Sequence, residues 1–154
     1  MATTHRILDD LYEESYSLFA IHSSLDDFAL VYTLNQYLKT RFRRLRKDLD
    51  IALGLSFPIF EWRDEINDRY WTLIANVCHK EEIGKSNDLF MDESAYTTYH
   101  LLPELRELDY VVKIEGELTE EEESLLKSVA NIPKIIAAYA LDANRIKSKK
   151  NLIF

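Results

Sequence analysis

The sequence predicts an α+β domain of two layers, in which two helices cover one face of a mainly antiparallel sheet. Two amphipathic segments are each flanked by segments rich in aromatic and β-branched residues. Because each helix is apolar on one side only, each needs a sheet to cover. The order strand, helix, several strands, helix, strand makes a ferredoxin-like βαββαβ core with extra strands the leading topology.

Composition indicates one globular domain spanning residues 1–154, with an N-terminal lead at 1–15 and a basic, apolar tail at 142–154. The 154 residues are 47% hydrophobic and carry 19 basic and 27 acidic side chains, a net charge of −8. This composition is too apolar for a disordered chain. A single cysteine, the absence of a secretory signal, and a longest apolar run of about seven residues predict a cytoplasmic protein without a membrane span.

The first helix is predicted from Leu25 to about Arg46. Ser24 is a suitable N-cap, and Asp27 follows three residues later as a short-armed capping box. The spacing of its apolar positions by three and four predicts one apolar stripe, formed by Phe28, Val31, Leu34, Leu38, Phe42 and Leu45. Of these we expect Phe28, Val31, Leu38 and Phe42 to be buried.

The second helix is predicted to begin after Thr119, with Glu122 completing a capping box, and to end at Pro133. Its inner face comprises Leu125, Leu126, Val129 and Ile132.

Seven segments have the composition of strands, and they are Ile7–Leu8, Tyr16–Ser23, Ile51–Trp62, Tyr70–His79, Tyr96–Leu102, Asp109–Glu115 and Lys134–Leu141. The first two are candidates for a hairpin. Because proline cannot donate to a ladder, Pro58 places its strand at an edge or at a bulge. Lys134–Leu141 is so apolar that we expect it to be buried on both faces.

The segment LPELRELDY at 102–110 carries a motif, with Pro103, Glu104, Asp109 and Tyr110 in its fixed positions. It resembles the signature of the IPExxxVDY family of small bacterial proteins, with leucines at the isoleucine and valine positions. The family has no established activity, so the resemblance implies no catalytic residues. We expect the motif to be a tight connection between two strands. The alternative is an acid/base or cation site formed by Glu104, Glu107 and Asp109.

Catalytic and cofactor motifs are absent from the sequence, which predicts that the protein is not an enzyme and binds no cofactor or metal. The glycines are isolated, and no histidine or cysteine pair has metal-ligand spacing. Cys78 and His79 are adjacent on a predicted strand and therefore point to opposite faces. We expect Cys78 to be a buried, inert thiol.

A basic run at the predicted end of the first helix is the main functional signal. It consists of Arg41, Arg43, Arg44, Arg46 and Lys47, and a second basic group consists of Arg145, Lys147, Lys149 and Lys150. Cations stabilise a helix C-terminus, so a solvated helix end is one interpretation. The other is a surface for an acidic partner, which the two groups would share if they adjoin.

The sequence therefore favours a non-enzymatic protein-binding or adaptor protein whose partner has an acidic surface. A small-molecule-sensing domain and an RNA-associated protein are the alternatives, and the oligomeric state stays open. The predicted partner-binding residues are Arg41, Arg43, Arg44, Arg46, Lys47, Lys149, Lys150 and Phe154. The apolar terminus that ends in Phe154 either docks back as a short edge strand or adds to a partner's sheet.

Overall fold

The computed structural model describes residues 16–52, 55–82, 95–118 and 120–152. Two helices lie within these ranges, α1 at Asp27–Leu38 and α2 at Glu122–Ala130. The strands are β1 Tyr16–Ser23, β2 Arg43–Arg44, β3 Leu49–Ala52, β4 Leu55–Phe57, β5 Ile59–Asp64, β6 Arg69–Ala75, β7 Val77–Glu82, β8 Ala95–His100, β9 Tyr110–Glu115 and β10 Ile135–Leu141. Two short 3₁₀ turns follow at Ala143–Arg145 and Lys149–Leu152.

Six strands form one antiparallel sheet in the order β10-β1-β9-β6-β5-β2. Strands β1 and β6 therefore run parallel with β9 between them, and β9 and β10 run parallel with β1 between them. Since α1 follows β1 and α2 joins β9 to β10, the core has the ferredoxin-like βαββαβ arrangement. The extra strands are insertions, β2 to β5 before β6 and the β7–β8 hairpin before β9.

Both helices pack on the same face of this sheet, which confirms the predicted α+β class. One apolar cluster unites residues of α1, the segment after α2 and the sheet, including Leu30, Leu34, Ile132, Phe19 and Val112. The side chains of this cluster interdigitate between helices and strands, so burial of one apolar stripe per helix holds the two layers together.

The opposite face of the sheet carries a second apolar cluster, which the predicted two-layer arrangement did not include. Sheet residues Leu18, Ala20 and Ile74 are covered there by Phe57 of β4 and Leu152 of the tail, all below 9% exposed. The covering elements are the β3–β4 and β7–β8 hairpins, the loop before β9 and the C-terminal turns. The sheet is therefore buried on both faces in its centre.

The position of β10 corrects the prediction of a strand buried on both faces. Among the described strands β10 pairs with β1 alone, and Ile136 and Tyr139 are 75% and 40% exposed. Its apolar sequence therefore does not reflect central burial. β1 is paired by β9 and by β10, and the hairpin partner expected for it, Ile7–Leu8, lies outside the described residues.

Helix α1 begins later and ends earlier than predicted. Asp26, not Ser24, is the N-cap, and its carboxylate accepts a hydrogen bond from the amide of Ala29 at 2.7 Å. The helix ends at Leu38 because Lys39 adopts a left-handed conformation with φ of 57°. Residues 41–47 are therefore not helical.

The buried side of α1 is also shifted from the predicted stripe. Leu30, Val31 and Leu34 face the core, and Leu38 is partly buried against it. Phe28 is 62% exposed and meets the core only through an edge contact with Phe60, with ring centroids 5.4 Å apart. The prediction that Phe28 is buried is wrong because Leu30, which is fully buried, faces the core in the first turn of the helix instead.

Helix α2 follows the predicted pattern over a shorter span. Val129 is buried in the helix and Ile132 just beyond it, while Leu125 packs partly buried against the same cluster. The N-cap is Glu121, which makes no side-chain capping bond, and Thr119 lies outside the described residues. The helix ends at Ala130, before Pro133.

The predicted strand Ile51–Trp62 is three strands. β3 and β4 pair with each other as a separate hairpin, and β5 belongs to the main sheet. Pro58 separates β4 from β5, where its missing amide donor interrupts no ladder.

Neither described helix is long and apolar enough to cross a membrane.

Candidate partner-binding groove

The chain leaves α1 along a path set by the side-chain amide of Asn35. Its oxygen accepts hydrogen bonds from the Thr40 hydroxyl and the Phe42 amide, both at 2.8 Å, and its nitrogen donates to the Phe42 carbonyl at 3.1 Å. Lys39, between the end of the helix and Thr40, adopts the left-handed conformation that turns the chain. One polar residue of the helix therefore redirects the basic segment into an extended conformation.

Phe42 anchors this extended segment in the core. It is 6% exposed and lies with its ring centroid 6.4 Å from that of Trp62 and 6.1 Å from that of Trp71, which are 5.3 Å apart. Because side chains alternate along extended backbone, burial of Phe42 places Arg41 and Arg43 on the outward side. Both arginines are exposed.

A ladder of charged and aromatic side chains continues from Arg43 across the sheet. Its guanidinium pairs with one carboxylate oxygen of Glu61 at 3.1 Å, and the Tyr70 hydroxyl donates a short hydrogen bond to the other. The guanidinium of Arg63 lies 5.8 Å from the Tyr70 ring centroid, within the range of a cation–π contact. Burial, together with the hydrogen bond and charge of Glu61, raises the pKa of Tyr70 to about 12. Tyr70 therefore remains a donor at neutral pH.

This ladder forms the floor of an open groove of about 780 Å³ at the β2 edge of the sheet. The groove is lined by Lys39, Arg41, Arg43, Glu61, Trp62, Arg63, Asp64, Glu65, Ile66 and Tyr70. Among the described residues, Lys39 and Arg41 form no ion pair. Ile66, at the tip of the β5–β6 turn, is 95% exposed. The groove thus combines unpaired cations with an apolar rim.

A second open groove of about 510 Å³ adjoins the first and shares Arg63 and Tyr70 with it. Its other lining residues are Asp68, Arg69, Glu115, Gly116 and Glu117. Arg69 is committed to structure there, because it donates to the Glu117 carbonyl at 3.1 Å and pairs with Glu121 at 2.9 Å. Cations that are free to meet a ligand therefore concentrate in the first groove.

The structure divides the predicted basic run between two environments. Arg41 and Arg43 line the groove, whereas Arg44 pairs with Asp48 at 2.8 Å and donates to the Leu45 carbonyl at 3.1 Å. Arg46 and Lys47 are exposed but do not line the groove. Because α1 ends at Leu38, the interpretation of the run as a charged helix end is wrong.

The C-terminal basic group lies elsewhere. Its segment docks on the same chain, with Leu152 only 2% exposed and its carbonyl accepting from the Lys113 ammonium at 3.0 Å. Asn151 and Leu152, which were predicted to begin a short edge strand, lie instead in a 3₁₀ turn with the exposed Lys149 and Lys150. No described residue of the tail lines the groove. Phe154 lies outside the described residues.

The family motif residues hold together elements that are far apart in sequence. The Glu104 carboxylate accepts from the amide and hydroxyl of Ser148 at 2.9 and 2.7 Å. Asp109 accepts from the Ser23 amide at 2.9 Å. The Tyr110 hydroxyl donates to the Leu25 carbonyl at 2.5 Å, while Pro103 lies in the turn that starts the loop.

Burial, hydrogen bonds and nearby charges shift the pKa values of two motif residues, Glu104 and Tyr110. Burial opposes ionisation of Glu104, but the hydrogen bonds from Ser148 outweigh it and lower the pKa of the carboxyl. Burial, together with the charges of Asp27, Asp26 and Asp109, raises the pKa of Tyr110 to about 12. Glu104 and Asp109 bind separate elements, so the structure does not join them into the alternative acid/base site.

Asn76 organises the loop that carries the motif. Its side chain is fully buried, accepts from the Leu102 amide at 2.8 Å, and donates to the carbonyls of Leu105 and Leu108 at 2.8 and 3.0 Å. Two successive turns, closed by hydrogen bonds from the amides of Leu105 and Leu108, form this connection. The buried amide therefore satisfies backbone groups that no regular element would pair.

The described part of the chain contains no group of three or more histidine, cysteine, aspartate or glutamate side chains suited to a metal ion. Cys78 is partly buried, and its thiol donates to the Ser56 carbonyl at 3.4 Å. Burial, and secondarily the charge of Asp48, raises the pKa of this thiol. A raised pKa keeps the sulfur protonated and weakens it as a nucleophile.

Sequence reasoning missed Lys39, Trp62, Arg63 and Tyr70 as members of the groove. The signal was present in the alternation of Glu61 and Arg63 on one face of a strand, opposite Tyr70 in a hairpin. This signal did not lead to the groove because the basic run was predicted to be helical, and a helix would not pair with β5.

Comparisons of this chain with protein-family models, curated proteins and solved structures gave no match. The family suggested by residues 102–110 therefore stays a prediction.

Proposed function

We propose that this chain is a non-enzymatic binding protein that holds an acidic segment of another protein in the groove at the β2 edge. The observation that carries the proposal is the pair of cations Lys39 and Arg41, which form no ion pair among the described residues and line an open groove beside the exposed Ile66. Arg63 is already oriented over the Tyr70 ring, so its guanidinium needs little ordering to meet a carboxylate. Arg43 is paired with Glu61 instead.

The mixed charge of the groove favours a protein over a nucleic acid. Three carboxylates, those of Glu61, Asp64 and Glu65, line it together with the cations. They would repel a continuous phosphate backbone, as would the net charge of −8. A protein segment can alternate acidic and apolar side chains, and Ile66 and Trp62 offer apolar contact of the kind found at protein interfaces.

A small-molecule sensor is the weaker alternative because the enclosed space in the core is very small. The cavity between the helices and the sheet measures about 10 Å³ and is lined by apolar side chains such as Leu34, Phe42 and Trp71. One water needs about that volume. A small ligand would have to bind in an open groove, where much of its surface stays in water. We place the binding function in the cytoplasm.

The proposal is tested by fluorescence anisotropy with two labelled probes, a short peptide in which glutamate and aspartate alternate with leucine, and a single-stranded RNA of similar length. The binding variant is Lys39→Glu with Arg41→Glu. The matched control is Arg46→Glu with Lys47→Glu, which changes the charge equally outside the groove. We expect the binding variant to weaken peptide affinity about tenfold or more and the control to weaken it only a few-fold.

Two outcomes would overturn the proposal. Equal loss in both variants would mean that the peptide responds to net charge alone and that the groove is not its site. Tighter binding of RNA than of peptide, lost in the same variant, would assign the groove to RNA. Peptide affinity should also fall as salt rises, because exposed ion pairs are screened.

A further inference from the structure

The outer edge of β10 has the features of a surface for strand pairing. Among the described strands β10 pairs only with β1, so no described strand covers its other edge. The strand IIAAYAL is seven residues long and has no charged residue or proline within it. Sheet edges are ordinarily protected by charge, proline or shortness. At the opposite end of the sheet, β2 is protected in this way, since it consists of two arginines.

The charges at the two ends of β10 favour one particular occupant. Lys134 precedes the strand in a left-handed turn with φ of 70°, and Asp142 follows the strand and pairs with Arg145 at 3.6 Å. Both side chains are exposed. If a second β10 runs antiparallel with Ala138 opposite its own copy, the turn that carries Lys134 in each copy comes to the same end of the ladder as Asp142 of the other. One ion pair between Lys134 and Asp142 then lies at each end of the ladder, and a two-fold axis relates the two pairs.

Side-chain size is complementary in the same register. Tyr139 lies opposite Ala137 of the other copy, and Ile136 lies opposite Ala140, so each large side chain faces a small one. A register centred on Tyr139 would instead stack the two tyrosines and place Ile136 opposite Asp142. The register centred on Ala138 therefore satisfies both charge and size.

We propose that a second copy of this chain adds its β10 to this edge, antiparallel and centred on Ala138, to form a continuous sheet across two molecules. The bulge at Ile136, where the register with β1 shifts between His22 and Ser23, limits the ladder near each end. A ladder of this length buries less area than a permanent dimer, so the association is weak and depends on concentration.

The test uses a charge exchange between two variants of the full chain, Lys134→Glu and Asp142→Lys. Each variant alone places like charges opposite one another and should raise the dimer dissociation constant several-fold in sedimentation equilibrium. An equimolar mixture restores opposite charges in the mixed dimer and should recover the affinity of the parent. Circular dichroism of each variant checks its folding. Asn144→Lys, an exposed change close to Asp142, is the control and should leave the dimer unchanged.

Disulfide trapping tests the register in a Cys78→Ser background. Ala138→Cys should form an intermolecular disulfide about tenfold or more faster than Ala140→Cys, because only residue 138 meets its own copy at Cα distances of roughly 4.5–5.5 Å. Equal rates at the two positions would overturn this register. A monomer at every concentration, with no trapping at either position, would overturn the dimer and assign the edge to another segment of the same chain.

Discussion

The basic segment at 39–47 and the motif loop at Leu101–Tyr110 were both prominent in the sequence, yet the structure uses them in opposite ways. Each is irregular backbone held by one asparagine amide, Asn35 for the basic segment and Asn76 for the loop. In the loop, Glu104, Asp109 and Tyr110 all bind other elements of the chain. In the basic segment, Lys39 and Arg41 bind nothing among the described residues.

The difference shows how a structural motif and a binding surface can be told apart. A polar group that is satisfied within the chain has little left to offer a partner, because a partner would have to replace the bonds it already makes. A cation that is held in place but unpaired gains when a carboxylate arrives. The motif loop therefore stabilises the fold, while the basic segment is the surface that remains open to recognition.

The largest expected loss of stability comes from removing the Phe42 ring, which anchors the basic segment in the core. Phe42→Ala should lower the free energy of unfolding by about 3–5 kcal/mol, because Phe42 is buried against Trp62 and Trp71. Phe28→Ala is the control on the exposed side of α1, and it should cost about 0.5–1.5 kcal/mol through its single edge contact with Phe60. Urea unfolding measures both. Equal costs would contradict the observed orientation of α1.

In the same urea unfolding assay, replacing Asn76 should destabilise the protein more than replacing Asn35. Asn76→Ala removes the hydrogen-bond partner of the buried Leu102 amide and of the Leu108 carbonyl, and one of the two donors to the Leu105 carbonyl, and should cost about 2–4 kcal/mol. Asn35→Ala removes a similar set of bonds from a partly exposed site and should cost about 1–2 kcal/mol. Asn144→Ala, an exposed position in a 3₁₀ turn, is the control. A smaller loss of unfolding free energy for Asn76→Ala than for Asn35→Ala would contradict this prediction.

Alkaline pH should weaken the motif loop through Tyr110. Its pKa of about 12 in the folded chain exceeds the ordinary value of 10.0, so the folded state holds the proton more tightly. Its contribution to stability is complete below pH 10 and is lost as pH rises toward 12. Between pH 9 and pH 11 the free energy of unfolding should fall by about 1 kcal/mol less in Tyr110→Phe than in the parent. An identical fall in both would show that Tyr110 does not contribute.

The smallest expected effect is the stability of the groove variant. Lys39→Glu with Arg41→Glu should change the free energy of unfolding by no more than about 0.5 kcal/mol, because both side chains are exposed and unpaired. Thermal and urea unfolding beside the parent provide the measurement. A loss comparable to that of Phe42→Ala would mean that these cations support the fold and are not reserved for a partner.

Several elements followed from sequence pattern alone. β1 has the predicted bounds of Tyr16–Ser23, and β9 lies within one residue of its predicted start. The presence of two one-sided helices between strands was enough to predict the α+β class and the placement of both helices on one face. These features depend on the residue periodicity of single elements, which is local information.

The ends of the helices and the order of the strands at the sheet edges depend on contacts between distant residues, which a local sequence pattern does not contain. α1 ends without a glycine or proline signal because the Asn35 amide bonds residue 42, seven positions later. The apolar sequence of β10 resembles a central strand, and only the pairing of β1 with both β9 and β10 places it at the edge.

The sequence by itself determined which segments are helices and strands and which side of each is apolar, because those properties repeat within a few residues. The tertiary structure alone decided which cations share a groove, which motif residues bind other elements, and which described strands lie at the two ends of the sheet. Arg43 meets Glu61, Glu104 meets Ser148, and Tyr110 meets Leu25 across separations of 18, 44 and 85 residues. Such contacts exist only once the sheet order has brought distant segments together.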